Sequence, residues 1–199
     1  MRKRVSMARV AAEREGLTIE WRKGHAEQLP FPDGSFDLIF CQFGLMFFKD
    51  RQTALTEMHR VLRTGGRVRL SVWQGLDRHP FYQTLHDVSR RRLGKSSVQH
   101  VFSLGNSDKL RRLLTEAGFQ YVEIEPASIT ARFSNPEEFL AWEIDVEPSE
   151  TPALRHLDAQ AQQAILAAVR NEMQTALHEV MQDGQVLLVS HANVAHARK

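Results

Sequence analysis

The chain has 199 residues, of which 42% are hydrophobic and 25% are charged, as is typical of a globular domain with a sizeable core. Its net charge of +2 is well short of a nucleic-acid-binding footprint, and its apolar runs are shorter than a membrane span. We therefore predict neither a nucleic-acid partner nor a membrane partner. The single cysteine, Cys41, excludes a disulfide within the chain. The basic residues 2–4 are followed by polar and charged residues rather than by the apolar region of a signal peptide, so we predict a cytoplasmic location.

The N-terminal part of the chain predicts alternating helices and strands. Apolar residues at helical spacing predict a helix over residues 6–15 and another from its N-cap Asp50 to a stop at Gly65 or Gly66. Alternation predicts strands over residues 17–22 and 67–72, and a short apolar run predicts a buried strand over residues 38–40. This order favours an α/β fold with a largely parallel sheet.

The rest of the chain adds helices and two further strands. Helices are predicted over residues 81–93, from Asn106 or Ser107 to Gly118, from Pro136 onward, and over residues 166–180. Strands are predicted at residues 122–125 and 186–189, and residues 147–152 form the clearest loop. We predict a single domain, with a core at residues 1–131, a helical insertion at residues 132–182 and a final strand and tail at residues 183–199.

Two short segments are candidate ligand sites because each follows a predicted strand. His25-Ala26-Glu27 follows the first strand, and Gln42-Phe43-Gly44 follows the second. Ligands of open α/β sheets bind outside the carboxyl ends of the strands. Backbone donors, short side chains and one apolar face suit a planar heterocycle that needs stacking and edge hydrogen bonds.

Several segments resemble class I S-adenosylmethionine (SAM)-dependent methyltransferases of the ubiquinone/menaquinone-biosynthesis type. Residues 24–31 resemble their Gly-Asp-Ala-Glu-x-Leu-Pro-Phe segment, residues 35–39 their fourth strand, and residues 61–67 the approach to their fifth strand. Trp73 and residues 117–119 also fit, so the resemblance covers nearly all of residues 8–130. It implies a Rossmann-like sheet with helical cap insertions, S-adenosyl-L-methionine as cofactor, and methyl transfer to a small molecule.

The resemblance also implies roles for particular residues. In the family, the residues that correspond to His25, Ala26 and Glu27 border the adenine. Those that correspond to Gln42, Phe43 and Gly44 lie beside the methionine moiety or the methyl-transfer face, and Trp73 would form a wall of the substrate pocket. A surface turn, a strand exit and a core tryptophan are the structural alternatives. His25 stands where the family usually has an acidic residue, and a neutral histidine accepts a hydrogen bond through only one ring nitrogen.

The chain departs from the family most strongly in what it lacks. The Gly-rich loop that cradles the methionine end and the acidic residue that holds the ribose are absent from the sequence. We therefore expect an N-terminally truncated fold without the first two strands, and activity that depends on the missing segment. The alternative is a cofactor-free, degenerate interaction module that forms a homo-oligomer through its exposed sheet edge.

No catalytic residue and no metal site is predicted. His79, His86 and His100 lie in the region that would cap the pocket, but nine histidines in the chain make chance placement common. No cluster of histidine, cysteine and acidic residues has metal-ligand spacing. The basic cluster at Arg90–Arg92 with Lys95 is interpreted as a solvated helix face.

Overall fold

The computed structural model describes residues 9–94, 96, 98–144 and 154–199. Residues 9–14 form helix α1, and the following helices are α2 (Arg51–Val61), α3 (Pro80–Leu93), α4 (Val98–Val101), α5 (Ser107–Glu116), α6 (Pro136–Ile144) and α7 (Ala159–Glu179). Two predicted N-caps, Asp50 and Asn106, are confirmed. The side chain of Asp50 accepts from the Thr53 backbone N–H at 3.0 Å, and that of Asn106 accepts from the Lys109 N–H at 2.8 Å.

The described residues form one five-stranded sheet. Its strands are β1 (Phe36–Gln42), β2 (Leu62–Trp73), β3 (Gln120–Phe133), β4 (Met181–Gln182) and β5 (Gln185–Arg198), in the order β1-β2-β5-β3, with β4 paired to β5. Strands β1 and β2 are parallel, whereas β5 runs antiparallel to β2, β3 and β4. The predicted α/β, Rossmann-like fold class is confirmed, but the prediction of a largely parallel sheet is wrong.

The antiparallel character follows from where the last helices lie. Helices α6 and α7 pack against each other, α7 also packs against α3, and α6 reaches β5. They therefore do not form the crossover that would return the chain parallel to β2. The Asp183-Gly184 turn, in which both residues have positive φ angles (51° and 74°), sends β5 back beside β4.

Over the described ranges, the hydrophobic core consists of two clusters of buried residues. One part places α2 and α5 against one face of β1, β2 and β5, through residues such as Leu55, Leu114 and Leu70. The other joins α3, α6 and α7 to the first half of β5, through residues such as Met173 and Val186. In the described part of the chain, no helix has both the length and the apolar character needed to cross a membrane.

The strand predicted over residues 17–22 is wrong, because these residues have no regular secondary structure. The alternation is present in the sequence, yet Leu17 and Ile19 are 58% and 47% exposed. A strand needs a neighbour for its backbone hydrogen bonds. Among the described residues, none pairs with this segment, and none pairs with the outer edge of β1.

Two predicted boundaries also need correction. Helix α2 ends at Val61 rather than at Gly65 or Gly66, because Leu62 already has an extended backbone and β2 begins there. The last strand continues to Arg198, far beyond the predicted residues 186–189. Small residues such as Ala192 and Ala195 lack the β-branched pattern that marks a strand, but their burial between β2 and β3 suits them. The loop at residues 147–152 lies outside the described residues.

Candidate functional site

The exits of β1 and β2 meet at one edge of the sheet because these two strands are parallel. Phe43, directly after β1, has a φ of 50°, and its N–H donates to the Ser71 carbonyl of β2 at 3.0 Å. The Phe43 ring stacks on Trp73, the last residue of β2, with centroids 3.8 Å apart and planes at 16°. A non-glycine residue held in the left-handed region is a form of strain that concentrates at ligand sites.

Gly44 lies in close packing next to this strand exit. A Cβ at Gly44 would lie 3.1 Å from the Cys41 sulfur and 3.5 Å from Cζ of Phe48. Cys41 itself is buried, and burial raises the pKa of its thiol, so it packs as a small hydrophobe. The chain then forms a short 3₁₀ turn, Leu45–Phe47, that leads to Asp50 and α2.

The turn at residues 25–33 is fixed to α2 by two side chains. The Arg60 guanidinium donates to the carbonyls of Phe31 and Leu29, at 2.9 and 3.1 Å, and also binds Asp33. Glu57 accepts from the Leu29 N–H at 2.8 Å, and hydrogen bonds from Arg60 lower its pKa. The turn therefore has a defined position relative to the β1 exit, although it follows no strand.

Glu27 does not project freely into the site. Its carboxylate accepts from the backbone N–H groups of Lys49 and Asp50, at 3.0 and 3.3 Å. Backbone N–H donors, first its own and then that of Asp50, lower the Glu27 pKa. Glu27 therefore holds the turn against the start of α2, while His25 is exposed and Ala26 half-buried beside it.

Phe48 lies between the two predicted segments and connects them. It approaches Gly44, and it lines a cavity of about 480 Å³ together with His25, Ala26 and Phe31. It also lines a wider cleft of about 980 Å³ whose other walls come from His25, Glu27, Gln28, Lys49, Asp50, Arg51, His100 and Ser103. The structure thus places Phe48 next to Gly44 of one predicted segment and in the walls of the two spaces that His25, Ala26 and Glu27 of the other segment line.

These residues offer the features that a planar heterocycle needs. Phe48 and Phe31 offer apolar faces, His25 offers an exposed polar edge, and the cleft is of small-molecule size. Gln42 is exposed at the strand exit, beside the Phe43–Trp73 stack. Within the described ranges, no Gly-rich loop faces this exit.

Trp73 also contributes to a cavity that Phe43 does not line. It lines a cavity of about 340 Å³ that contains Tyr82, Phe102, Trp142 and Glu143. The Tyr82 hydroxyl donates to Glu143 Oε1 at 3.0 Å, and burial raises the pKa of both groups. That Trp73 forms a wall of a substrate pocket remains a prediction, and this cavity is the candidate for that pocket.

His79 is a structural residue. It is 2% exposed, and its Nε2 accepts from the His191 N–H at 3.0 Å, which leaves Nδ1 to donate to the Gly75 carbonyl at 3.0 Å. Burial lowers its pKa and favours this neutral form. His86 is buried in α3, and His100 is exposed at the rim of the wide cleft. Among the described residues, no group of potential ligands could hold a metal ion.

The basic cluster on α3 is partly neutralised. Arg91 and Arg92 each form an ion pair with Glu172 of α7, at 2.5 Å. These exposed arginines therefore tie two helices together, in agreement with the reading as a helix face. Lys95 lies outside the described residues.

Sequence reasoning missed Phe48, Tyr82 and Glu143. Phe48 stands in a run of apolar residues after Gly44, where nothing separates a site residue from a core residue. Tyr82 and Glu143 are 61 residues apart in the chain and meet only through the packing of α3 near α6. A carboxylate within the mostly apolar stretch at residues 139–144 was the one available signal.

Part of the chain is similar in sequence to known methyltransferases. Residues 1–70 match the family described as a methyltransferase domain. Demethylmenaquinone methyltransferase of Alkalihalophilus pseudofirmus is 31% identical over 124 residues, covering 55% of this chain and 52% of that protein. The ubiquinone/menaquinone biosynthesis C-methyltransferase of Hahella chejuensis is 53% identical over 53 residues, covering 27% of this chain and 21% of that protein. The chain therefore spans about half or less of the length of these two relatives.

A solved structure supports the same fold along the whole chain. The YcgJ protein of Bacillus subtilis has a TM-score of 0.60 and 19% identity, with coverage of 100% of this chain and 79% of that protein. At this identity the likeness establishes the fold and not the function. The predicted cofactor, S-adenosyl-L-methionine, is supported by the family match. Over the matched residues the chain is thus similar to methyltransferases of ubiquinone and menaquinone biosynthesis, and it has the Rossmann-like fold of the solved structure.

Proposed function

We propose that this chain supplies the adenine side and the strand exit of the cofactor pocket in a SAM-dependent methyltransferase that acts on a small-molecule acceptor. The observation that carries the proposal is the Phe43–Trp73 stack at the joined exits of β1 and β2, with a strained Phe43 backbone. Gly44, which follows Phe43, lies close to Phe48, and Phe48 lines a cavity with the turn that Arg60 and Glu27 fix in place. A cytoplasmic location, predicted from the sequence, is part of this proposal.

Each half of the site has a distinct task. His25 and Ala26 border the adenine, and Phe48 provides a face for stacking. Gln42, Phe43 and Gly44 border the methionine moiety, where the cofactor supplies an electrophilic methyl group. Methyl transfer then depends mainly on alignment of acceptor and methyl group, which is catalysis by proximity.

Binding of S-adenosylhomocysteine tests the proposal. Calorimetry compares the 199-residue chain with the same chain extended at its N-terminus by the Gly-rich strand–loop–helix segment of a curated relative. We expect a Kd of about 1 μM or tighter for the extended chain, since both halves of the pocket are then present, and at least about tenfold weaker binding for the shorter chain. An extended chain that folds and gives no heat of binding contradicts the proposal.

The alternative from the sequence, a cofactor-free module that forms a homo-oligomer through its exposed sheet edge, has no support in the comparisons. The same samples distinguish it, because light scattering reports the oligomeric state of the 199-residue chain. A stable oligomer, together with an extended chain that does not bind S-adenosylhomocysteine, favours the module. A monomer that binds the ligand excludes it.

A further inference from the structure

The cavity beside Trp73 combines aromatic walls with one acidic side chain. Trp73, Tyr82, Phe102 and Trp142 line it, with Leu85, Val98, Val101 and Ser190 completing the walls. The rings of Tyr82 and Phe102 lie 5.4 Å apart, with an angle of 46° between their planes. Its volume of about 340 Å³ is within the range of small-molecule sites.

Glu143 is the acidic group of this cavity, and it lacks a cationic partner. In the described part of the chain its hydrogen-bond partner is the Tyr82 hydroxyl, at 3.0 Å, and no lysine, arginine or histidine forms an ion pair with it. A carboxylate that is partly removed from water normally has a counter-charge or becomes protonated. A ligand cation would supply that counter-charge.

We propose that this cavity binds an organic ammonium ion, with Glu143 as its counter-ion and the faces of Trp73, Tyr82 and Phe102 around it. Aromatic faces attract cations through the ring quadrupole, most strongly where water is excluded. A carboxylate placed among them adds a direct ion pair. A neutral ligand of the same shape gains neither interaction, so the site selects for positive charge.

The position of the cavity connects it to the proposed function, on which this part of the inference rests. The cavity and the predicted methyl-transfer face share Trp73, which lines the cavity and stacks on Phe43 with ring centroids 3.8 Å apart. A primary or secondary amine bound here would be the methyl acceptor. Its nitrogen loses a proton to the Glu143 carboxylate, and the nitrogen lone pair forms the new N–C bond. The electron pair of the breaking S–C bond stays on sulfur.

Ligand binding without cofactor tests the inference separately from methyl transfer. Benzyltrimethylammonium and its neutral carbon isostere, neopentylbenzene, are titrated into the 199-residue chain while tryptophan fluorescence is recorded, since Trp73 and Trp142 line the cavity. We expect the cation to bind at least about tenfold more tightly than the isostere. The Glu143→Gln variant should weaken the cation at least about fivefold and leave the isostere unchanged.

Two further variants keep the test decisive. Glu137→Gln, on the exposed first turn of the same helix, should change cation binding less than about twofold. Tyr82→Phe is the second measurement if Glu143→Gln fails to fold. It keeps the Glu143 carboxylate and the aromatic ring, so it should retain selectivity for the cation. Equal binding of cation and isostere, or no binding of either, overturns the inference. Tighter binding of neutral 2-naphthol than of the cation also overturns it, in favour of a hydroxyl-bearing ligand.

Discussion

Phe43 and Trp73 stack face to face at 3.8 Å, and this contact joins the exits of the two parallel strands. The stack holds Phe43 at a φ of 50°, a conformation that costs a non-glycine residue about 1–3 kcal/mol. Such a cost persists only where surrounding contacts outweigh it. One ring pair therefore maintains the strand exit at the proposed methionine side and the wall of the aromatic cavity.

Replacement of Phe43 should separate the stabilisation by its stacked ring from the cost of its positive φ angle. We expect Phe43→Ala to lower the free energy of unfolding by about 2 kcal/mol, because the ring is half-buried and its stack is lost. Phe43→Gly should be less destabilised than Phe43→Ala, since glycine adopts positive φ without a steric penalty. The control is Phe47→Ala, whose ring is 62% exposed and which should change stability by less than about 0.5 kcal/mol. Urea denaturation measures all three, and equal losses for Phe43→Ala and Phe47→Ala would show that the stack contributes nothing.

His25→Asp should strengthen binding of S-adenosylhomocysteine to the N-terminally extended chain. An aspartate accepts hydrogen bonds through both oxygens, and a charge-assisted bond to the adenine amino group should improve affinity about tenfold. Gln182→Asp is the matched control, because it adds the same charge at an exposed position of β4, away from the cleft. Calorimetry measures both variants. An aspartate at position 25 that leaves affinity unchanged would place the adenine elsewhere.

Arg60→Lys should loosen the turn at residues 25–33 without unfolding α2. Lysine keeps the charge but cannot reach the Leu29 and Phe31 carbonyls and Asp33 together, as the guanidinium fork does. We expect faster amide hydrogen exchange at Leu29, whose N–H donates to Glu57. Arg63→Lys, in an exposed ion pair with Asp37, should leave that exchange rate unchanged. If the two variants exchange alike at Leu29, the turn is held by other contacts.

The sequence predicted what depends on local interactions. The caps at Asp50 and Asn106 and the apolar spacing of α2 and α5 are confirmed, since each is settled within one or two helical turns. The strand at residues 17–22 could not be judged locally, because alternation creates a strand only beside a partner. The contact of Tyr82 with Glu143 joins residues 61 apart and depends on helix packing. The family resemblance identified the strand exit, while the aromatic cavity needed the structure.

His79 should make stability fall under mildly acidic conditions. Burial holds its folded-state pKa below the ordinary value of 6.5, so below that pH the unfolded chain binds a proton that the folded chain does not. The contribution is therefore fully present above pH 6.5 and is lost as pH falls towards the folded-state pKa. We expect His79→Gln to show a shallower loss of melting temperature over this range than the unsubstituted chain. The exposed His156→Gln should keep the original slope, and a His79→Gln slope equal to it would contradict the assignment.

Glu143 should make stability fall as pH rises, in the opposite direction to the effect of His79. Its folded-state pKa is raised above 4.5 by burial, with Tyr82 as the neighbouring group that lowers it. The folded chain therefore binds the proton more tightly, and stability falls as pH rises from 4.5 through the folded-state pKa. Glu143→Gln removes this penalty, so its melting temperature should match that of the unsubstituted chain near pH 4 and rise above it near pH 8. Glu137→Gln is the control on the same helix. A Glu143→Gln variant that is less stable near pH 8 would mean that a cation of the protein already pairs with the carboxylate, which would leave no charge for a ligand to neutralise.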